Sequence, residues 1–257
     1  MTQKAPAKIN AFLKITGKRG NYHEMVSRFI QIPSLFDTIT FVKKDCDETF
    51  CLNGGFSCTT KQNTIYKAFI ALQEAVDDPR IGDFFKTHQV NVQKNIPSFA
   101  GLGGGSSDAA TFLKMINETL DLKLSNETLA GIGLKVGADV PFFIYGFKVA
   151  NIEGIGEVVT AFEEELPEFE VKTPENIDAN TVAVFQNFRK KFYKHISKEE
   201  ATRLLHTPTL KALESFTLTQ ANDLFYAALD LYPNLKEYAK KPWYFSGSGS
   251  SFFRVKD

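Results

Sequence analysis

Apolar and polar residues alternate along two stretches near the start of the chain. The first stretch, residues 7–16, places Lys8 and Asn10 on one side of the alternation, because side chains two positions apart share a face of a strand. The second stretch covers residues 29–41 and is broken near Pro33, since proline cannot donate a ladder hydrogen bond. We therefore expect the N-terminal region to form β-sheet.

Apolar residues recur at helical spacing in three later segments. One begins after Asn63, a residue type that favours the N-cap position. A second covers residues 109–120, and a third, capped by Ser125 or Asn126, covers residues 129–136. All three segments are predicted helices.

The remainder of the chain mixes short predicted strands and helices. Residues 140–145 and 147–152 are apolar runs joined at Gly146, and both are predicted strands. Farther along we expect strands at residues 158–162 and near Val171, and helices at residues 198–205, 222–231 and 235–240.

The order of these elements indicates the fold class. Strands and helices do not alternate strictly, as they do in a doubly wound parallel sheet, so the pattern favours an α+β fold. A break at residues 154–157 is the candidate boundary between two domains, residues 1–155 and residues 156–257.

A glycine-rich loop carries the strongest chemical signal in the sequence. Four glycines occur within residues 101–105, and a predicted helix follows directly. Such a turn presents unpaired backbone N–H groups and the positive end of a helix dipole, which together suit a phosphate. We therefore predict nucleotide phosphate binding by Pro97, Gly101, Leu102, Gly103, Gly104, Gly105, Ser106 and Ser107.

The alternative for this loop is a flexible linker. The run is short, however, and lies between a strand-like segment, residues 89–93, and a periodic helix. Ser106, Ser107 and Asp108 are the expected N-cap candidates of that helix. The loop is neither a Walker A sequence, which requires Gly-Lys-Ser/Thr, nor a dinucleotide fingerprint.

Composition and charge exclude several classes of partner. The chain has 257 residues, 43% of them hydrophobic, and its 30 basic and 30 acidic residues cancel. Neither nucleic acid nor a membrane is therefore an expected partner. The sequence opens without a signal-peptide pattern, so we expect a cytoplasmic protein. The three cysteines lack metal-ligand spacing and are expected to be free thiols.

Lys8 and Asp139 are the best candidates for charged catalytic groups. Phosphoryl transfer requires charge stabilisation at the moving group and a residue that orients or deprotonates the attacking hydroxyl. Lys8 lies in an apolar strand, and Asp139 precedes an apolar run. Each residue also has an ordinary alternative, an edge-strand lysine that faces water and an aspartate that caps a turn.

Five further residues are weaker candidates. Tyr22 and His23 directly follow a polar turn, where a ring can stack on a base, but aromatic residues such as these and Phe185 usually fill cores. Asn63 and Lys94 could contact nucleotide, although a helix cap and a surface lysine are more ordinary.

Three segments, in order, resemble the motifs of the GHMP small-molecule kinases. They are residues 6–10 (Pro-Ala-Lys-Ile-Asn), the glycine loop, and residues 246–249 (Ser-Gly-Ser-Gly). Tyr22-His23 and residues 137–143 narrow the resemblance to the branch that phosphorylates 4-diphosphocytidyl-2-C-methyl-D-erythritol in non-mevalonate isoprenoid biosynthesis. The resemblance covers nearly the whole chain.

This resemblance implies the architecture and the catalytic groups. It implies a ribosomal protein S5 domain 2-like N-terminal domain that binds ATP and a ferredoxin-like C-terminal domain that binds the substrate. Asp139 would accept the proton of the 2-hydroxyl, while Lys8 would hold that hydroxyl and offset charge near the γ-phosphate.

The resemblance also implies the binding groups. The glycine loop would wrap the ATP phosphates, with Asn63 and Lys94 near the adenine or ribose. Mg²⁺ is expected with ATP; which protein atom binds it stays open, a Ser106 or Ser107 hydroxyl being the candidate. Substrate contacts are implied for Asn10, Tyr22, His23, Phe185, Gly247 and Ser248, the aromatic residues lying near the cytosine and the glycine turn near the diphosphate.

Two other functions stay open at this point. One is a GHMP kinase of the mevalonate or homoserine type, for which the aromatic pair Tyr22-His23 would have no base to stack on. The other is an inactive nucleotide-binding regulator, which would be free to lose Asp139. Gly20-Asn21 precedes the pair where the family usually has Asp-Gly, and asparagine tolerates the left-handed conformation of such a turn.

Overall fold

Two long strands, β1 (Thr2–Arg19) and β2 (Tyr22–Lys43), open the chain and pair with each other. They are seen in a computed structural model that describes residues 1–256. The predicted N-terminal strands are confirmed, but both are longer than expected. Pro33 is exposed within β2 and does not end it, since proline is tolerated where the ladder does not require its missing N–H.

The chain divides into two compact units that alternate along the sequence. The first unit comprises residues 1–7, 33–96 and 103–147, and the second unit comprises residues 8–32, 97–102 and 148–257. β1 and β2 therefore contribute residues to both units. The predicted division after residue 155 stays a prediction.

The first unit combines a small sheet with five helices. The last part of β2 pairs antiparallel with β4 (His88–Gln93), which pairs parallel with β3 (Leu52–Gly54). The predicted cap Asn63 is confirmed, because its side chain accepts from the Ile65 N–H at 2.9 Å. The helices are α1 (Thr64–Ala75), α2 (Pro79–Thr87), α3 (Gly104–Thr119), α4 (Asn126–Leu134) and α5 (Val140–Tyr145).

The second unit contains two sets of antiparallel strands. The first part of β2 pairs with β5 (Val149–Gly154), and β5 pairs with β6 (Val158–Ala161). A separate sheet has the order β7–β9–β8. Among residues 1–256, no helix is long and apolar enough to span a membrane. The remaining elements are β7 (Phe169–Lys172), α6 (Thr181–Asn187), α7 (Lys198–His206), α8 (Thr209–Ser215), α9 (Leu218–Ala221), α10 (Phe225–Leu231), β8 (Tyr244–Phe245) and β9 (Phe252–Val255).

Residues 140–145 form the helix α5, so the prediction of a strand there is wrong. Pro141 lies in the first turn, and Gly146 ends the helix with a φ of 71°, both common at helix boundaries. An uninterrupted apolar run does not distinguish a buried strand from a buried helix. The helices α2, α6, α8 and α9 were also missed, and the predicted helix at residues 235–240 is a 3₁₀ turn, Pro233–Glu237.

Cys46 and Cys51 form a disulfide, so the expectation of free thiols is wrong for this pair. Both lie in the loop between β2 and β3, with Cα atoms 6.5 Å apart, a separation that a disulfide can span. Cys58 is a free, exposed thiol, as expected.

A buried guanidinium group ties several elements of the second unit together. Arg28 on β2 is fully buried and donates to Asn151 Oδ1 at 2.6 Å, to Thr209 Oγ1 at 2.9 Å and to the Leu205 carbonyl at 3.0 Å. Burial lowers the pKa of Arg28 to about 10, and the nearby Glu164 carboxylate opposes that lowering. β2, β5, α7 and α8 thus share one hydrogen-bonding centre.

We expect Arg28→Met to lower the free energy of unfolding by about 3 kcal/mol or more, because Glu164 and several buried oxygens lose their donor. Urea denaturation followed by circular dichroism measures this change. Arg203→Met, at an exposed arginine on α7, is the matched control and should change stability by less than about 0.5 kcal/mol. Equal, small effects of the two variants would refute a structural role for the Arg28 guanidinium.

Candidate active site

The glycine loop enters helix α3 through Gly103. Gly103 is the N-cap residue and has a φ of 71°, a left-handed conformation that favours glycine. The prediction that Ser106, Ser107 or Asp108 caps the helix is wrong, because the left-handed glycine makes the bend and these residues lie inside α3. The N–H groups of the first helical turn have no intrahelical acceptor and therefore suit a phosphate.

Packing also favours glycine at the start of α3. A Cβ atom at Gly104 would lie 2.9 Å from Ile96 Cγ2, and one at Gly105 would lie 3.2 Å from Thr64 Oγ1. The Thr64 hydroxyl donates to the Gly105 carbonyl at 2.6 Å. The start of α1 and the chain after β4 therefore approach the α3 backbone closely.

Lys94 is held by two buried carboxylates. Its Nζ donates to Asp108 Oδ2 at 2.7 Å and also to Asp37 Oδ2. Asp37 Oδ1 in turn accepts from the backbone N–H groups of Asn95, at 2.6 Å, and Ile96, at 2.8 Å. The network fixes the chain on both sides of the glycine loop, and the predicted nucleotide contact of Lys94 stays a prediction.

Burial dominates the electrostatics of this network. It raises the pKa of Asp108 to about 7, with Lys94 opposing the rise and Asp37 adding to it. Burial by itself would lower the pKa of Lys94, but Asp108 and Asp37 outweigh that effect and the pKa is raised. Lys94 is therefore cationic at neutral pH.

The Ser107 hydroxyl fits the expected Mg²⁺ ion. Ser107 Oγ and Asp108 Oδ1 are buried and have no hydrogen-bond partner within residues 1–256. A hydroxyl oxygen is an acceptable ligand for Mg²⁺ when phosphate oxygens supply most of the coordination. The described residues contain no group of three or more His, Cys, Asp or Glu side chains that could hold a metal.

Asn63 and Pro97, also predicted to bind the nucleotide, have different environments. Asn63 is buried and its side-chain oxygen caps α1, the ordinary role weighed for it above. Pro97 is exposed. Their contacts with nucleotide stay predictions.

Asp139 lies where the chain enters α5. It is the N-cap residue, but its side chain makes no cap hydrogen bond, and it is partly buried. A Cβ atom at Gly137 would lie 3.5 Å from Ser106 Oγ on α3. The first unit therefore places the segment that bears Asp139 beside the start of the glycine-loop helix.

Lys8 is the first residue in a buried series of hydrogen bonds in the second unit. It is only 3% exposed, which excludes the alternative of an edge-strand lysine that faces water. Its Nζ donates to Asn10 Oδ1 at 2.6 Å and lies 4.3 Å from the centre of the Phe29 ring. Asn10 donates onward to Ser27 Oγ at 3.0 Å. Lys8 and Asn10 are thus oriented by β2.

The loop before Gly103 and the C-terminal glycine turn pack backbone to backbone. A Cβ atom at Gly101 would lie 2.3 Å from the Ser246 carbonyl oxygen, and one at Gly247 would lie 2.9 Å from the Gly101 carbonyl oxygen. Ser246 Oγ accepts from the Asn10 N–H at 3.3 Å and donates to the Gly101 carbonyl at 3.2 Å. In the second unit, parts of all three predicted motifs therefore meet.

Aromatic residues surround His23 in the second unit. The His23 ring stacks on Phe185 at 5.5 Å and also lies near Phe188 and Tyr193. Sequence reasoning missed the last two, although Phe188 follows Phe185 at helical spacing. Tyr22 is 64% exposed, so its ring is accessible.

The His23 imidazole is neutral at physiological pH. Burial lowers its pKa, and the positive charges of Arg189 and Lys18 lower it further. Its Nε2 atom is buried and has no hydrogen-bond partner within residues 1–256. A neutral, unpartnered ring nitrogen is able to bond a polar ligand.

Comparison with known proteins places these features in a family. The family profile of the GHMP kinases N terminal domain matches residues 63–147. Over 257 residues the chain is 54% identical to the 4-diphosphocytidyl-2-C-methyl-D-erythritol kinase of Sulfurimonas denitrificans, covering 99% of this chain and 96% of that protein. It is 44% identical to the protein of that name from a Sulfurovum species, covering 98% of each.

Solved structures give the same assignment. A crystal structure of 4-(cytidine 5'-diphospho)-2C-methyl-D-erythritol kinase aligns with a TM-score of 0.71 at 27% identity, covering 100% of this chain and 90% of that one. Mevalonate kinase of Methanococcus jannaschii aligns with a TM-score of 0.62 at 15% identity, with the same coverage, and shares the fold. This chain therefore belongs to the 4-diphosphocytidyl-2-C-methyl-D-erythritol kinase family of the GHMP kinases.

Proposed function

We propose that this protein transfers the γ-phosphoryl group of ATP to the 2-hydroxyl of 4-diphosphocytidyl-2-C-methyl-D-erythritol, a step of isoprenoid precursor biosynthesis. The observation that carries the proposal is 54% identity, over nearly the whole chain, to a protein with that kinase name. The buried Lys8–Asn10 pair and the glycine-loop helix supply groups that phosphoryl transfer requires.

Asp139 and Lys8 have complementary roles in the proposed transfer. Asp139 accepts the proton of the attacking hydroxyl, which then displaces ADP directly, without a phosphorylated enzyme intermediate. Lys8 orients the hydroxyl and offsets negative charge near the γ-phosphate. Its hydrogen bond to Asn10 and its contact with the Phe29 ring hold the ammonium group in one place, which supports a role in positioning.

The glycine loop and the start of α3 bind the phosphates of ATP in this proposal. The left-handed Gly103 and the close packing at Gly104 and Gly105 leave the backbone accessible to an anion. Ser107 Oγ would hold Mg²⁺ bound with ATP, and the ion would neutralise charge at the phosphates. Lys94, paired with Asp37 and Asp108, fixes the chain that leads into the loop beside the same helix.

The cytidyl group of the substrate is recognised by the residues around Tyr22. The exposed Tyr22 ring offers a stacking surface, and the neutral His23 ring, supported by Phe185, offers Nε2 to the edge of the base. Gly247 and Ser248 bind the diphosphate. A mevalonate or homoserine substrate would leave the aromatic surface without a partner.

Asp139→Asn is expected to lower kcat about 10²- to 10⁴-fold, because the amide cannot accept the hydroxyl proton. A coupled ADP-release assay with the cytidyl substrate measures the change, and the KM for ATP should stay nearly constant. Asp83→Asn, at an exposed aspartate of α2, is the control and should retain full activity. Normal turnover by Asp139→Asn would remove the proposed base.

Tyr22→Ala is expected to raise the KM for the cytidyl substrate about tenfold or more, since stacking on one base contributes about 1 to 3 kcal/mol. The KM for ATP should not change. Tyr226→Ala removes another exposed tyrosine of the second unit and is the matched control. The stacking assignment fails if both variants have the wild-type KM.

Gly103→Val is expected to weaken ATP binding roughly tenfold or more, because a β-branched residue strains the left-handed conformation and redirects the phosphate-binding N–H groups. Separate KM measurements for ATP and for the cytidyl substrate test this selectivity. Gly131→Val is the control. Gly131 lies in α4, where a Cβ atom has open space, so this variant shows the effect of a helical valine away from the phosphate-binding loop. An equal loss for both substrates would indicate misfolding instead.

A further inference from the structure

We infer that Asn222 is a positioning residue, which fixes the Gly247–Ser248 peptide so that the Ser248 N–H is available to the diphosphate group of the substrate. The inference rests on the proposed function for the identity of that diphosphate. Its physical basis lies in the hydrogen bonds of one buried amide.

The Asn222 side chain makes all three of its hydrogen bonds to backbone groups. It is 1% exposed, and its Nδ2 donates to the Gly247 carbonyl at 2.8 Å and to the Phe245 carbonyl at 3.2 Å. Its Oδ1 accepts from the Leu224 N–H at 2.9 Å. Asn222 therefore has no N–H left to donate to an anionic ligand and acts through the turn that it holds.

The planarity of the Gly247–Ser248 peptide means that holding the Gly247 carbonyl also fixes the direction of the Ser248 N–H. In a planar trans peptide the C=O and N–H bonds point in opposite directions. Because Asn222 holds the Gly247 carbonyl, the Ser248 N–H points away from Asn222. Within residues 1–256 this N–H has no protein acceptor, and Ser248 is only 7% exposed. Buried N–H groups are rarely left unpaired, and in a glycine turn they commonly bind an anion.

Asn222 is itself fixed to β1 by the neighbouring residue. The Asp223 N–H donates to the Leu13 carbonyl at 3.0 Å, and Asp223 Oδ2 accepts from the Ile15 N–H at 2.9 Å. Lys14 forms a buried ion pair with the same carboxylate. The same strand bears Lys8 and Asn10, which also belong to the second unit. Asn222 and Asp223 therefore connect the glycine turn to the strand that bears the proposed catalytic lysine.

The decisive variant is Asn222→Asp, which keeps the size of the side chain and the acceptor for Leu224 but replaces the donor to Gly247 by an oxygen. We expect the KM for the cytidyl substrate to rise roughly tenfold at about pH 8, because a hydrogen bond to a charged group is lost when the peptide reorients. The KM for ATP should stay within about twofold. Lowering the pH to about 6 should restore part of the affinity, because a buried carboxyl is readily protonated and then donates to Gly247.

Asn117→Asp is the matched control. Asn117 lies in α3 of the first unit, donates to the Leu124 carbonyl at 3.1 Å and accepts from the Leu124 N–H at 3.0 Å. The substitution removes the same type of bond without touching the glycine turn. It should leave both KM values and their pH dependence unchanged. A rise in both KM values for Asn222→Asp, or a pH dependence equal to that of the control, would overturn the inference.

A binding measurement separates this inference from the proposed function. If the wild-type protein does not phosphorylate the cytidyl substrate, the proposed function is wrong, and the Ser248 amide can still be followed by NMR during titration with CDP. A change of its chemical shift in the wild type that is absent in Asn222→Asp supports the inference. A wild-type Ser248 signal that does not respond to CDP overturns it.

Discussion

The second unit depends on a contact between two backbone segments of the chain, a contact so close that it leaves no space for a side chain. A Cβ atom at Gly101 would lie 2.3 Å from the Ser246 carbonyl oxygen, far inside any tolerable separation. The Lys8 N–H donates to the Leu102 carbonyl at 2.9 Å beside this contact. β1, the glycine loop and the C-terminal turn are therefore mutually positioned by backbone atoms, and the polar side chains are oriented on that frame.

The sequence predicted the elements whose signals are local. Alternation identified β1 and β2, and the Asn63 cap identified the start of α1, because strand period and capping depend on neighbouring residues alone. The glycine motif predicted a loop that leads into a helix, and the structure confirms it. The resemblance of three ordered motifs gave the family before any geometry was known.

Features set by distant partners were not predictable in the same way. Five of the six residues in the run before Gly146 are buried, so its pattern was compatible with a strand or a helix and tertiary packing decided between them. A surface lysine was the ordinary alternative weighed for Lys94, yet Asp37 and Asp108 bind its ammonium group. Nothing in the local sequence joins residues 57 positions apart. The roles of the site residues toward ATP and substrate are not determined by the fold and stay predictions.

The ion pair between Lys14 and Asp223 links residues 209 positions apart in the sequence. β1 therefore leaves the ribosome well before this partner is made. Domains generally assemble as their segments emerge during synthesis, and β1 can pair early with the adjacent β2, but this buried ion pair forms only once Asp223 has been made. Contacts of such long range slow folding, so the Lys14 ammonium group stays without its buried counter-charge while the intervening residues are translated.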